Sequence, residues 1–211
     1  YTGKLAADVA HEIRNPLAGI RAGIQVVSRK LTQERDQKLC EGMVREVDRV
    51  NLLIENLLNL SRRRESQKTT VSLNALFDEL QLLYFKVAEN KGIAFTAQVE
   101  GSLWLYADEG ELRQVLINLI NNAVKAMPDG GQLEIRAEKE PEGVCLTVTD
   151  TGVGMGPEKL EQVLHGAGTG GLGLSIVRRL LGENGGQLSM ESGRGEGTRA
   201  RIAFPGKGGE A

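Results

Sequence analysis

Eight apolar residues, Leu5, Val9, Ile13, Leu17, Ile20, Ile24, Val27 and Leu31, step by fours and threes through the opening of the chain. That spacing predicts an α-helix over residues 4–31 with one buried stripe. A short polar connection, Thr32 to Asp36, leads to a second stripe: Leu39, Met43, Val47, Val50, Ile54 and Leu57, widened by Val44, Leu53 and Leu58. The second helix is expected to reach about Arg64. Two long helices on a short loop make an antiparallel hairpin. A lone hairpin cannot cover stripes this wide, whereas a second copy, completing a four-helix bundle, would cover them. A coiled-coil spacer is compatible with the same pattern.

His11 stands apart from that stripe. At about 100° per residue it lies roughly 200° from Val9, on the outward face. Glu12 is its neighbour and Asn15 follows one turn later on the same face. Pro16 lacks an N–H and crowds the carbonyl of Glu12, so a bend is expected beside the histidine. A solvated histidine next to an acid is the ordinary reading of such a position. The acid, the amide and the proline arriving together set this one apart.

After the hairpin, the charged stretch Arg62 to Thr70 reads as a linker, and the pattern changes. Ser72 is placed to cap a helix running to about Asn90. Ile93–Val99 and Leu103–Tyr106 read as strands. Asp108 or Glu109 opens a helix to Met127, closed by the turn Pro128–Gly131. Gln132–Ala137 and Val144–Thr149 alternate as paired strands. Leu174–Glu183 reads as a helix stopped by Gly185 and Gly186, and Gln187–Glu191 and Thr198–Phe204 as closing strands. This order suggests an α+β sandwich, one sheet covered by helices. The domains are expected at 1–66 and 71–206, with a frayed tail from Gly206.

At 211 residues there is room for one or two domains with a real core. A net charge of −2 and few aromatics argue against a nucleic-acid partner and against an anionic membrane surface. Cys40 and Cys145 fall in different elements, form no ligand-like cluster and read as reduced, structural residues of a cytoplasmic protein. No apolar run is long enough to span a bilayer. The chain opens at Tyr1, close to a helix, and so reads as part of something longer. Membrane attachment is expected only through regions absent from this chain.

Four stretches of the second domain carry polar chemistry. Asn118, Asn122 and Lys125 share one face of an otherwise apolar helix, where unpaired amides and an ammonium are costly. Carboxamide oxygens suit Mg²⁺, and a lysine suits phosphate. Asp150-Thr151-Gly152-Val153-Gly154 ends an apolar strand. Its carboxylate can accept from an exocyclic amine, and its glycines permit close backbone approach. The glycine-rich run Gly166 to Gly173 leads into a helix, an arrangement suited to anions. Gly195-Glu196-Gly197-Thr198 turns into the last strand. Each is weak alone: a solvated face, a strand-ending turn and a flexible loop are the plain alternatives.

In sequence order the four resemble the N, G1 and G2 boxes and the closing G-x-G-T strand of the Bergerat ATPase fold. His11-Glu12-Ile13-Arg14-Asn15-Pro16-Leu17 resembles the H-box of sensor histidine kinases, the branch of that fold with a hairpin in front. Together the likeness covers residues 4–205, and the H-E-I-R-N-P-L-A-G-I form is most similar to the nitrogen-regulation type. The resemblance implies a helical hairpin, four-helical on dimerisation, followed by a Bergerat-type α+β sandwich. It implies ATP and Mg²⁺ as cofactors, with Asn122 on the metal, Asn118 on the same wall and Lys125 on phosphate oxygens. It places Asp150 on the adenine amine, with Gly152 and Gly154 shaping the pocket. Thr169, Gly170, Gly171, Leu172, Gly173 and Leu174 would form the phosphate-side loop and helix start. Thr198 would support the adenine end.

The implied activity is autophosphorylation of His11, with Glu12 taking the proton, then transfer to an aspartate of a response-regulator receiver domain. The partners implied are that regulator and a second copy of the chain. Asn15, in Glu12-x-x-Asn15, resembles the family's phosphatase motif. The alternatives are a nucleotide-binding dimeric scaffold with impaired kinase activity, and another Bergerat-fold ATPase or serine kinase without phosphohistidine. One departure stands out. The family carries a Phe-containing stretch and a lid between G1 and G2. Here Met155 leads to Gly171 directly, and Phe77, Phe85, Phe95 and Phe204 all lie elsewhere. The lid is naturally short, engineered, or represented by residues absent from this chain; the mobility of glycine-rich lids favours the last, with a seam near His165 to Gly168. His165 reads as a lid or surface residue and not as a second phosphoacceptor.

Overall fold

The structure, a computed structural model, describes residues 2–31, 33, 35–44, 46–47, 50, 66–165 and 171–206; the side chains of 2–12, 14, 15, 165, 171 and 172 lie outside that description. The chain divides into two compact units, Tyr1–Glu65 and Ser66–Ala211.

In the first unit, helix α1 spans Thr2–Ser28 and runs through Pro16 without interruption. Helix α2 is described over residues 35–44. The turn between them is closed by the Gln37 side-chain amide, which donates to the Leu31 carbonyl at 2.8 Å. Gln25 and Ser28 of α1, Arg29 just after it, and Cys40, Glu41 and Val44 of α2 line one cavity, so α2 folds back beside α1. The expected continuation of α2 through 51–65 lies outside the described residues. Ile20, Val27, Leu39 and Met43, all on the two predicted stripes, are each about half exposed in the single chain. Among the described residues the apolar face of the hairpin is left uncovered in the single chain, as the width of the stripes implied.

The second unit comprises β1 (Thr69–Ser72), α3 (Leu73–Glu89), β2 (Ile93–Val99), β3 (Trp104–Ala107), α4 (Glu109–Ala126), β4 (Gly131–Glu140), β5 (Gly143–Asp150), α5 (Pro157–His165), α6 (Gly171–Asn184), β6 (Gln187–Gly193) and β7 (Gly197–Pro205). Among the described residues the main sheet runs β2-β4-β5-β7-β6, with β1 and β3 as a separate pair. β2 pairs parallel with β4, and the other neighbours are antiparallel. One face of the sheet, carrying Leu133, Ile135, Leu146, Val148 and Ile202, packs on Leu76, Phe77 and Leu80 of α3, Leu112, Leu116 and Ile120 of α4, and Ile176 and Val177 of α6. This is the α+β sandwich expected from the element order. The Ser72 cap is where the sequence put it, its hydroxyl accepting from the Ala75 amide; of Asp108 and Glu109, Asp108 is the cap of α4, its carboxylate accepting from the Glu111 amide.

Two elements go beyond the sequence reading. β1 starts at Thr69, inside the stretch read as linker, and pairs with β3 from Thr69↔Ala107 to Ser72↔Trp104. The chain is tied down even before that strand. The Gln67 amide donates to Asp108 at 2.8 Å, and the Ser66 hydroxyl donates to Glu111 at 3.1 Å. Asn184, at the end of α6, closes the same network, donating to Glu111 at 2.7 Å and accepting from the Asp108 amide at 2.8 Å. The second unexpected element is α5, with Pro157 at its first position, Glu158 in its first turn and Val163 buried. Among the described residues no helix is long and apolar enough to cross a membrane.

Candidate functional site

α4, β5, α5, α6 and β7 enclose a cavity of about 320 Å³, a volume typical of small-molecule sites. Its walls are mostly apolar: Leu119, Ala123, Val148, Met155, Val163, Leu174 and Met190. Four polar side chains seen in the sequence, Asn122, Lys125, Asp150 and Thr198, converge on it with Gly154 and Leu174.

α4 supplies Asn122 and Lys125 because its other faces are committed to the core through Leu112, Leu116, Leu119, Ile120 and Val124. Asn118, one turn earlier, is not on the cavity wall. It is half-buried, and among the described residues its Nδ2 has no hydrogen-bond partner. Gly173 at the start of α6 passes close by: a Cβ there would sit 3.9 Å from Asn118 Oδ1.

Asp150 ends β5, paired with Leu133 on one side and Thr198 on the other. Only 6 % of it is exposed. One carboxylate oxygen accepts from the Gly152 amide at 2.8 Å. Burial raises its pKa above the ordinary aspartate value, partly offset by the backbone amides of Gly152 and Thr198. A buried acceptor facing an apolar cavity calls for a donor from whatever fills that cavity.

The glycines around Asp150 act on protein backbone. A Cβ on Gly152 would lie 2.5 Å from the Ala126 carbonyl oxygen, the group that accepts from the Val153 amide at 2.9 Å. Gly154 has φ +60, and a Cβ there would fall 1.8 Å from the Gly193 oxygen. Gly197 has φ +79, and a Cβ would fall 1.9 Å from the Asp150 oxygen. Three seams therefore close around Asp150: to the end of α4, to the β6–β7 turn, and between β5 and β7. The sequence suggested close approach to a ligand at Gly152 and Gly154; Gly154 lines the cavity, and all three glycines also press against neighbouring main chain.

Sequence reasoning missed two contributors. Ser192 accepts from the Met155 amide at 2.8 Å and donates to the Gly197 oxygen at 2.8 Å, with Thr198 Oγ1 3.0 Å away. It fixes the loop after β5 to the head of β7. The other is Lys159, on the cavity wall from α5. Thr169 and Gly170 lie outside the described residues, as does the expected seam after His165. Gly171, Leu172 and Gly173 form the start of α6. His11, Glu12 and Asn15 lie on α1 in the other unit, their side chains outside the description. Among the described residues no group of three or more His, Cys, Asp or Glu could hold a metal by itself.

Comparison with known proteins covers both units. Residues 2–66 match the family model described as His Kinase A (phospho-acceptor) domain, and residues 107–208 match the Histidine kinase-, DNA gyrase B-, and HSP90-like ATPase. Sporulation kinase A of Bacillus subtilis is 35 % identical over 97 % of this chain and 35 % of its own length. Sensor histidine kinase ZraS of Salmonella typhimurium is 34 % identical over 96 % of this chain and 45 % of its own length. The chain thus spans between a third and a half of the curated relatives it matches. Among solved structures, histidine kinase ThkA in complex with response regulator protein TrrA is 30 % identical, with a TM-score of 0.69 over 97 % of this chain and 61 % of that chain. Full-length ShkA in complex with AMPPNP is 26 % identical, with a TM-score of 0.69 over 96 % of this chain and 45 % of that chain. With a phospho-acceptor hairpin in front and a histidine-kinase-type ATPase sandwich behind, the chain belongs to the sensor histidine kinases of two-component systems.

Proposed function

We propose that this chain binds ATP in the cavity beside Asp150, phosphorylates His11, and passes the phosphoryl group to an aspartate of a response-regulator receiver domain. The observation that carries the reading is the buried Asp150 carboxylate, held by Gly152 and facing an apolar cavity whose other polar wall is Asn122 and Lys125. A flat aminopurine supplies the donor that the carboxylate lacks and the apolar faces that the walls match. Its phosphates would extend toward Lys125 and the start of α6, where a helix N-terminus favours anions. The AMPPNP bound by the ShkA relative supports the same ligand class.

Mg²⁺ fits these residues when it arrives with the nucleotide. Such ions keep few protein ligands and share the substrate's phosphates. Asn122 offers a carboxamide oxygen on the cavity wall. The ion would neutralise charge on the transferring phosphoryl group. In the reaction a ring nitrogen of neutral His11 attacks the γ-phosphorus. The N–P bond forms as the bond to the β–γ bridging oxygen breaks, and ADP leaves. Glu12 accepts the proton from the other ring nitrogen as the imidazole becomes cationic.

The uncovered stripe of the hairpin supports a homodimer, since a second copy buries Ile20, Val27, Leu39 and Met43 in a four-helix bundle. The ThkA–TrrA complex supports a response regulator as the second partner. Glu12-x-x-Asn15 supports a phosphatase activity on that partner, with Asn15 orienting the attacking water. The deciding experiment uses ATP labelled on the γ-phosphate. Acid-labile, base-stable label on the wild-type chain and none on His11→Gln is expected; label that persists in His11→Gln overturns the assignment.

A further inference from the structure

Among the described residues the cavity wall carries two ammonium groups, Lys125 from α4 and Lys159 from α5, and one carboxylate, Asp150. The carboxylate is buried and already held by a backbone amide. Neither lysine has an ion-pair or hydrogen-bond partner among the described residues. The wall is therefore left with unneutralised positive charge at two points, contributed by two separate elements. The connection between α5 and α6, residues 166–170, reads Gly-Ala-Gly-Thr-Gly and brings no charged side chain. A polyanion entering this cavity must find its cations on the helices.

We propose that Lys159 is a second phosphate-binding residue, acting with Lys125 on the polyphosphate arm of a nucleoside triphosphate; this rests on the nucleotide reading above. α5 holds the lysine in place. Val163, one turn further on, is buried in the core, and the Arg178 guanidinium of α6 donates to the Val163 carbonyl. The backbone from which Lys159 projects is thus anchored, while the side chain itself is exposed and free to reach. A long flexible ammonium suits a phosphate chain, which presents charge at several points and demands no single geometry.

Calorimetric titration of the full chain with ATP, ADP and adenosine, without added metal, tests this. In Lys159→Gln, ATP should bind about five- to tenfold more weakly, ADP less affected, and adenosine unchanged. Lys159→Arg should retain most of the ATP affinity, and the salt dependence of ATP binding should flatten in the Gln variant. Equal losses for ATP and adenosine would place Lys159 at the base or in the fold, and no loss for any of the three would remove it from the site; either overturns the proposal while leaving the nucleotide reading intact. Failure of the wild-type chain to bind all three would overturn both.

Discussion

Asp150→Asn separates what the site needs from what the fold prefers. The substitution keeps the shape, and an amide oxygen can still accept from Gly152, as the carboxylate does at 2.8 Å. The second position changes from acceptor to donor, so it opposes the exocyclic amine of adenine instead of receiving it. A hydrogen bond to a charged acceptor is worth about 1.5–3 kcal/mol, so ATP and adenosine should both bind roughly 10- to 150-fold more weakly. Stability should move the other way. Burial raises the Asp150 pKa, so the folded state holds this proton more tightly than the unfolded chain does. The ionised carboxylate therefore costs stability. That cost is absent below the unfolded pKa and complete once pH has risen through the folded pKa. Without ligand at neutral pH, Asp150→Asn should raise the melting temperature, and its advantage should vanish in acid. Titration calorimetry and thermal unfolding across pH read the two effects independently. Wild-type affinity in the variant, or a lower melting temperature at neutral pH, would refute the role given to this carboxylate.

Gly197→Ala should destabilise the second unit by about 2–5 kcal/mol in chemical denaturation, because left-handed backbone and a Cβ pressed on the Asp150 carbonyl both count against it. Asn184→Ala removes the contacts to Asp108 and Glu111; it should cost about 1–3 kcal/mol of stability with adenosine affinity unchanged, and a matching loss of adenosine binding would show that the network also shapes the cavity. Val27→Asp should convert a dimer into a monomer in sedimentation experiments, since Val27 is 52 % exposed on the open hairpin face; an unchanged dimer would place the interface elsewhere.

What the sequence disclosed was what local spacing encodes. Ser72 was legible as a cap because it bonds three residues ahead, and the start of α4 was legible to within one residue, at Asp108 or Glu109. Asn122 and Lys125 were legible because helical spacing puts them on one face. β1 was hidden because Thr69–Ser72 becomes a strand only through β3, more than thirty residues away, and in isolation reads as polar chain. α5 was hidden behind the expectation of a lid, although Pro157 followed by Glu158 signals a helix start; Lys159 was lost with it. Ser192 could not be found from spacing, because its partners Met155, Gly197 and Thr198 meet it only across strands and a loop. The glycines were recognised, but which main chain each one touches could not be read, since only the packed structure brings those segments together.

The glycine seams have a consequence for how such a pocket can change. Gly152, Gly154 and Gly197 hold main chain against main chain, and no side chain can be added there without moving a strand or the end of α4. Met155, Val163 and Met190 line the cavity with apolar side chains, which tolerate exchange for others of similar volume. Frame and lining are thus separately mutable. The contour of the cavity wall can drift, and on the proposed reading could be redesigned to admit an enlarged purine, while the backbone that presents Asp150 stays fixed.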